Sequence, residues 1–227
     1  VIRPSPSEQQ RWKERQASDR QERLELRTLR HLPALSADGV AVELWGNISR
    51  PEDTRDVLFH GGTGVGLFRT EFLYMGGPEL PSEAHQFEAY SGAVRGMEGR
   101  PTVIRTLDAG GDKNVPCLAS LLQKEENPFL GYRALRICLD HEELFLPQLR
   151  ALLRAATFGD LRVMFPMVGG PEDLHRALAV LQKARRSLED EGVPFGPVKV
   201  GVMIEIPSAA LQARELAASV DFFSVGT

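Results

Sequence analysis

The sequence has little cysteine, with two residues, Cys117 and Cys138, in a chain of 227. Two cysteines are too few for a disulfide scaffold, so we expect both as buried, reduced thiols. No apolar run approaches the length that spans a bilayer. The N-terminus, Val1-Ile-Arg-Pro, lacks the apolar stretch of a signal peptide and an initiator Met, which indicates an excised or processed piece. We therefore expect a cytoplasmic protein without membrane insertion.

The chain also lacks an excess of positive charge. Its formal net charge is −4, and no basic patch is visible along it, which argues against binding to nucleic acid or to a membrane surface. The five histidines show no metal-ligand spacing, so the sequence predicts no zinc site. A hydrophobic fraction of 42% and a charged fraction of 26% are ordinary for one large globular α/β domain.

The first part of the chain differs from the rest. Residues 7–31 are rich in charge of both signs and have few apolar positions, which predicts a solvated helix with Ser7 as its cap. An exposed helix with ion pairs between successive turns, and no activity, is the plainer interpretation of this segment. Pro33 and Asp38-Gly39 then mark a break, so we divide the chain into a charged helix, 1–32, and a folded domain, 33–227.

From Val40 onward, apolar strands alternate with helical stretches. We predict strands at 40–48, 64–70, 102–108, 160–167, 198–206 and 220–226, and helices at 51–59, 81–97, 129–139, 142–157, 171–190 and 207–218. Strands that are apolar on both faces and separated by helices predict a parallel sheet covered by helices. A (β/α)8 barrel of the TIM type needs eight such units, and the sequence provides six. If the fold is such a barrel, we expect it to be truncated after about the sixth strand.

The glycine-rich segment Gly61-Gly-Thr-Gly-Val-Gly66 matches neither a dinucleotide-binding pattern nor a Walker A loop. It precedes a strand rather than following one, and functional groups of such barrels gather where the strands end. We therefore interpret it as a structural turn.

Charged residues end three of the predicted strands: Arg69, then Arg105 and Asp108, then Glu205. The fork of donors on an arginine suits a carboxylate or phosphate, and a carboxylate beside a bound anion suits Mg²⁺. These residues predict a site for a small anion with a divalent metal. Two plainer interpretations stay open, namely structural ion pairs of the arginines with Glu71 and Asp108, and Glu205 as a carboxylate that favours a helix dipole.

A long segment, 109–128, follows the third predicted strand, and loops of this length inside a compact domain are usually functional lids. Gly110-Gly-Asp-Lys113 would give it a flexible base and a cation aimed at the site. Arg133 and Arg136 would lie near the same opening, although surface or ion-pair roles are about equally plausible for these two arginines.

Six motifs in order along residues 40–227 resemble Enzyme I of the bacterial sugar phosphotransferase system. They are Gly66-Leu-Phe-Arg69-Thr-Glu-Phe-Leu-Tyr-Met75, Arg105-Thr-Leu-Asp108-Ala-Gly-Gly-Asp-Lys113, Glu126-Asn-Pro-Phe-Leu-Gly-Tyr-Arg-Ala134, Met164-Phe-Pro-Met167, Gly201-Val-Met-Ile-Glu205-Ile-Pro207 and Val220-Asp-Phe-Phe-Ser-Val-Gly-Thr227.

The resemblance implies a barrel that binds phosphoenolpyruvate (PEP), uses Mg²⁺ and forms a homodimer. It also implies transfer of the PEP phosphoryl group to an enzyme histidine and on to the carrier HPr. Arg69, Arg105 and Arg133 match PEP-binding arginines, and Glu205 matches a Mg²⁺ ligand. We assign Asp108, Lys113 and Asn47 as supporting residues. Residues 1–32 resemble the linker to the family's phosphohistidine domain.

The family's Asn-Asp and Cys-Gly-Glu motifs and its phosphohistidine are not in this sequence, so we assign no catalytic residue and expect these 227 residues alone to be inactive. PEP synthase and pyruvate phosphate dikinase have a similar barrel, but Phe68 and the Gly-Gly-Asp-Lys113 segment favour Enzyme I. A multiphosphoryl fusion protein as the parent, and a non-catalytic dimerisation or regulatory barrel, stay open as alternatives.

Overall fold

The structure, a computed structural model, describes residues 3–110, 115–122, 126–127 and 130–226. Lys113, a predicted supporting residue, lies outside the described residues, as do parts of the predicted lid. The described remainder of that segment includes a 3-10 turn, Pro116–Leu118, with Val115 and Leu118 buried in the core.

Six strands form one sheet in chain order, and every neighbouring pair is parallel. The strands are β1 (Trp45–Ile48), β2 (Gly64–Arg69), β3 (Thr102–Arg105), β4 (Leu161–Phe165), β5 (Lys199–Ile204) and β6 (Phe222–Val225). The predicted parallel α/β sheet of six strands is confirmed, and each of the two edge strands pairs on one side within the described part of the chain.

The helices are α1 (Pro6–Leu29), α2 (Thr54–Phe59), α3 (Glu83–Gly96), α4 (Leu135–Asp140), α5 (Glu142–Ala155), α6 (Pro171–Asp190), α7 (Pro207–Leu211) and α8 (Ala213–Ala217). The predicted helix at 207–218 is therefore two short helices. The predicted strand at 40–48 is also too long, because Ala41 pairs antiparallel with Leu35 outside the sheet.

One face of the sheet is covered by a layer in which α5 packs between α3 and α6. Phe145 of α5 meets Phe165 of β4, and Tyr90 of α3 meets Phe68 of β2, each edge to face. All four rings are fully buried, so these contacts hold the helices on the sheet. On the other face, Asn47 of β1 and Ser224 of β6 line the same cleft, so the sheet curves into a half-barrel.

The charged helix α1 has no buried residue. The predicted cap Ser7 is wrong, since Ser5 caps the helix: its hydroxyl accepts from the backbone N–H of Glu8, whose carboxylate accepts from the N–H of Ser5. This reciprocal capping stabilises a helix end locally. The division of the chain at residue 32 stays a prediction.

The glycine-rich turn lies at the amino end of β2, opposite to the end where the charged residues gather. Gly61 has a φ of 83°, and a side chain there would come within 2.1 Å of the Arg30 carbonyl oxygen. Both facts require glycine for steric reasons, which supports the structural interpretation. None of the described helices is long and apolar enough to cross a membrane.

Candidate active site

A cleft of about 920 Å³ opens at the carboxyl ends of the strands. Functional sites of parallel α/β structures form at this end because the loops that follow the strands meet there. The charged and amide side chains that line the cleft are Asn47, Arg69, Glu71, Arg105 and Glu205. They come from β1, β2, β3 and β5 or from the residues that directly follow these strands.

Arg69 and Arg105 end neighbouring strands and are direct partners in the β2–β3 register. Their environments differ. Arg69 is exposed and has no ion pair within the described residues, whereas Arg105 is 7% exposed. Because an exposed guanidinium without an ion pair keeps its fork of donors available, Arg69 is suited to receive an anion from solvent.

A buried row of alternating charge runs behind the cleft. Arg105 Nη2 donates to Glu71 Oε1 at 2.7 Å, and Arg105 Nη1 lies 3.0 Å from Asp108 Oδ2. Arg133 Nη2 donates to the other oxygen of Asp108 at 2.7 Å. Each charge therefore has opposite neighbours, which offsets the cost of removing the four groups from water. Arg105 Nε has no hydrogen-bond partner among the described residues.

This row of ion pairs includes Asp108 and Arg133, two residues that the sequence predicts in the site. Asp108 was expected at the end of a strand, but β3 ends at Arg105, and Asp108 lies three residues beyond it. Arg133 precedes α4 and reaches Asp108 rather than the described lining of the cleft. The alternative of ion pairing with Glu71 and Asp108 is what the structure shows for Arg105, which nonetheless lines the cleft.

The segment that carries Arg133 is held by its backbone. Ala134 has a φ of 50°, which residues other than glycine rarely adopt. Its N–H donates to the Ala109 carbonyl. Arg136 donates to the carbonyls of Leu130 and Gly131 at 2.6 and 2.7 Å. Arg136 is not among the described residues that line the cleft, and its side chain closes the loop that precedes α4.

Glu205 follows β5 directly and is half-buried. Its Oε1 accepts from the backbone N–H of Met167 at 2.7 Å, and Met167 has a φ of 56°. Burial raises the pKa of the Glu205 carboxyl, against the opposing effect of the Met167 N–H. The carboxylate thus contacts the turn after β4, and this contact, rather than a helix dipole alone, explains its orientation.

The described residues contain no group of three histidines, cysteines or acids that could enclose a metal. Two of the acids near the cleft, Glu71 and Asp108, form ion pairs with arginine, whereas Glu205 has one oxygen on a backbone N–H. Mg²⁺ commonly takes one or two protein carboxylates and completes its shell with ligand oxygens and water. Glu205 fits as one such ligand.

Glu71 is the site residue that the sequence did not single out. It lies two residues after Arg69, in the 3-10 turn Thr70–Leu73, and is 3% exposed. Its place in the Arg69-Thr-Glu71 string is the available sequence signal, which indicates Glu71 only as a possible ion-pair partner of an arginine.

A cleft lined by two arginines and a carboxylate is consistent with the protein family that this sequence matches. Residues 23–227 match the family described as PEP-utilising enzyme, PEP-binding domain. The chain belongs to this family.

Relatives of this chain include proteins named phosphoenolpyruvate-protein phosphotransferase. The identity is 46% for the protein of Geobacillus stearothermophilus, 47% for that of Staphylococcus carnosus strain TM300 and 46% for that of Bacillus subtilis strain 168, each over 228 residues. The alignments cover 100% of this chain but 39 to 40% of the relatives. The chain therefore spans about two fifths of the length of the relatives it matches.

Proposed function

We propose that this chain is the PEP- and Mg²⁺-binding part of a phosphoenolpyruvate-protein phosphotransferase, and that the half-barrel belongs to a TIM-type (β/α)8 barrel. The observation that carries the proposal is the register pairing of Arg69 with Arg105 at the carboxyl ends of β2 and β3, with Glu205 lining the same cleft. PEP has a carboxylate and a phosphate, so its recognition calls for more than one fork of donors.

Each side chain has a defined task in this proposal. Arg69 binds an anionic group of PEP at the mouth of the cleft, and Arg105 presents its remaining donor capacity from the buried row. Arg133 acts through Asp108, which fixes the guanidinium of Arg105 from the side away from Glu71. Asn47 adds an exposed amide from β1, the strand beside β2. Lys113, outside the described residues, stays a predicted supporting cation.

Glu205 would hold Mg²⁺ through its second carboxylate oxygen while Met167 keeps the first. The metal, when bound, supplies positive charge to the phosphoryl oxygens during transfer. The charges of the described residues also favour a metal cation in the cleft. Glu71, Arg105, Asp108 and Arg133 already neutralise one another, so an incoming ligand with several negative charges meets Arg69 and the acidic Glu205. Binding is balanced only if a cation enters with it.

The reaction follows from the proposed site. A histidine nitrogen outside this sequence forms a bond to the phosphorus of PEP, and the P–O bond breaks with its electron pair going to the enolate oxygen. The enolate takes up a proton at carbon and leaves as pyruvate, and the phosphoryl group then passes from the histidine to an HPr-type carrier. Positioning and charge neutralisation are the contributions that this chain makes, since phosphoryl transfer asks little covalent chemistry of the protein. Cytoplasmic location and a homodimer are part of the same proposal.

Calorimetry on the full-length parent tests the proposal. We expect PEP with Mg²⁺ to bind the wild-type protein and to bind the Arg69→Ala variant more weakly by about 2–5 kcal/mol. Arg55→Ala, which removes an exposed arginine of α2, is the matched control and should bind as wild type does. Equal binding by wild type and Arg69→Ala, or no binding of PEP by the wild type, would show that the cleft has another role.

A further inference from the structure

A fully buried glutamine, Gln148 of α5, lies behind the site and is absent from its lining. Its Oε1 accepts from the backbone N–H of Leu107 at 2.9 Å, and its Nε2 donates to the Tyr90 hydroxyl at 3.0 Å and to Thr70 Oγ1 at 3.4 Å. Thr70 Oγ1 donates in turn to the carbonyl of Arg105 at 2.9 Å. One side chain of the helix layer therefore reaches the ends of both β2 and β3.

The backbone after Arg105 needs this support. Thr106 makes the last regular contact with β4, its N–H donating to the Met164 carbonyl at 3.0 Å. The next N–H, that of Leu107, is buried where the ladder has ended, and a buried donor without a partner costs about 1–3 kcal/mol. Gln148 accepts from it, so the chain can leave the sheet there and turn toward Asp108.

The orientation of the Gln148 amide is fixed by donor and acceptor roles. A backbone N–H can only donate, so the atom facing Leu107 must be the amide oxygen. The amide nitrogen then faces Tyr90 and Thr70 as a donor, and the Tyr90 hydroxyl donates onward to Gln86 Oε1 at 3.0 Å. In this buried network every donor faces an acceptor. A network whose polar groups all have partners favours a single arrangement of the residues that it joins.

We propose that Gln148 is a positioning residue for the PEP site. It fixes the carbonyl of Arg105, through Thr70, and the N–H of Leu107 directly, and it thereby sets where the side chains of Arg105 and Asp108 point. This inference rests on the proposed function, because it assigns those two side chains to substrate binding. Gln148 touches no substrate, and its effect passes entirely through the backbone of residues 105–108.

Gln86 of α3 provides a matched comparison in the same buried set. It is a glutamine of 1% exposure whose Oε1 accepts from the Tyr74 and Tyr90 hydroxyls and whose Nε2 donates to the Pro81 carbonyl. None of these contacts reaches the backbone of β3. Loss of Gln86 therefore also removes three side-chain hydrogen bonds, two of them buried, and none of the three is made by a residue that lines the cleft.

The experiment measures KM for PEP, kcat and the melting temperature of the full-length parent in phosphorylation of HPr. Gln148→Met, an apolar change of similar size, should raise KM about tenfold and leave kcat within about threefold of wild type, because misplaced binding groups lose ground-state affinity. Gln86→Met should lower the melting temperature while KM stays within about twofold of wild type. Equal KM values for the two variants would assign Gln148 a merely structural role and overturn the proposal.

Thr70 supplies a second arm that does not depend on the folding of Gln148→Met. Thr70→Val removes the hydroxyl that holds the Arg105 carbonyl and should raise KM, and Thr70→Ser retains that hydroxyl and should restore a KM near wild type. If the valine and serine variants have equal KM values, the link through Thr70 is wrong.

Arg69→Ala, run in the same assay, separates the two proposals. If Arg69→Ala and Gln148→Met both raise KM, both proposals are supported. If Arg69→Ala raises KM and Gln148→Met does not, the positioning role falls and the PEP site stands. If Arg69→Ala leaves KM unchanged, the PEP site falls, and the role of Gln148 falls with it.

Discussion

Arg69 and Arg105 are register partners at the ends of β2 and β3, yet Arg105 is buried between two carboxylates and Arg69 is exposed. Both arginines end a strand, but only Arg105 takes part in buried ion pairs. One is part of the folded interior as well as the cleft, and the other can be removed without disturbing any ion pair that the described residues make.

The first prediction follows from this difference in environment. Arg105→Ala should destabilise the protein by about 3–5 kcal/mol, because it removes the guanidinium that lies between the buried carboxylates of Glu71 and Asp108. Arg69→Ala should change the free energy of unfolding by less than about 0.5 kcal/mol, as exposed substitutions usually do. Urea unfolding of both variants checks this, and equal midpoints would contradict the assignment of separate roles.

The second prediction concerns the path from Arg133 to the site. If Arg133 acts through Asp108, as we propose, Arg133→Met and Asp108→Asn should not be additive, with a coupling of about 0.5–3 kcal/mol in stability and a matching coupling in PEP affinity. A double-mutant cycle measures both quantities. Additive losses of affinity would instead indicate that Arg133 contacts the ligand directly, as the family resemblance implies.

The third prediction concerns Glu205. Glu205→Gln keeps an oxygen that can accept from the Met167 N–H, so the fold should persist, but it loses the charge that a metal needs. The Mg²⁺ concentration for half-maximal turnover of the full-length parent should therefore rise. Glu215→Gln, at an exposed position of α8, is the control. A magnesium titration of Glu205→Gln that superimposes on that of wild type would refute the metal assignment.

The fourth prediction concerns the two thiols, which form no disulfide. Burial raises the pKa of Cys138 to about 12, and partial burial also raises the pKa of Cys117. Because the thiolate is the reactive form, Cys138 should resist alkylation at pH 8 in the native protein, and Cys117 should react slowly. Peptide mass spectrometry after iodoacetamide treatment reads out both sites, with a denatured sample as control. Rapid labelling of native Cys138 would contradict its buried position.

The fifth prediction concerns the sheet edges of the 227-residue chain on its own. β1 and β6 each have one strand partner in the described part of the chain, and Val225 of β6 is 75% exposed. Unpaired edges favour pairing between copies, so we expect self-association that Val225→Lys reduces. Leu211→Lys, at an exposed apolar position of α7, should reduce it less. Sedimentation measures both, and a monomeric wild-type sample would falsify the prediction.

The sequence predicted the architecture well where the signal was local. The helix predicted at 171–190 has those bounds in the structure, because Pro171 starts it and an apolar stripe continues through Leu188. The strands were located because each is a short apolar run between helices. The strand predicted at 102–108 is too long, because its apolar pattern continues to Leu107 although β3 ends at Arg105. The N–H of Leu107 donates to Gln148 instead of to a neighbouring strand.

The site was predicted in part for a similar reason. Asn47, Arg69, Arg105 and Glu205 line one cleft, because parallel strands bring their carboxyl ends together whatever the details of the loops. Their roles in binding stay predictions. The part that no local pattern revealed depends on long-range pairing. Glu71 meets Arg105 across 34 residues, and Gln148 meets Thr70 across 78.

The absence of any buried residue in α1 has a consequence for hydrogen exchange. A helix held by its own backbone bonds and its capping box can open without disturbing the sheet, so its amide hydrogens exchange through local opening. Amides of β3, buried between β2 and β4, are exposed to solvent only when the whole sheet comes apart. We therefore expect two separate hydrogen-exchange regimes in one molecule. A thermal melt followed by helical signal alone would then mix a gradual loss of α1 with the cooperative transition of the half-barrel.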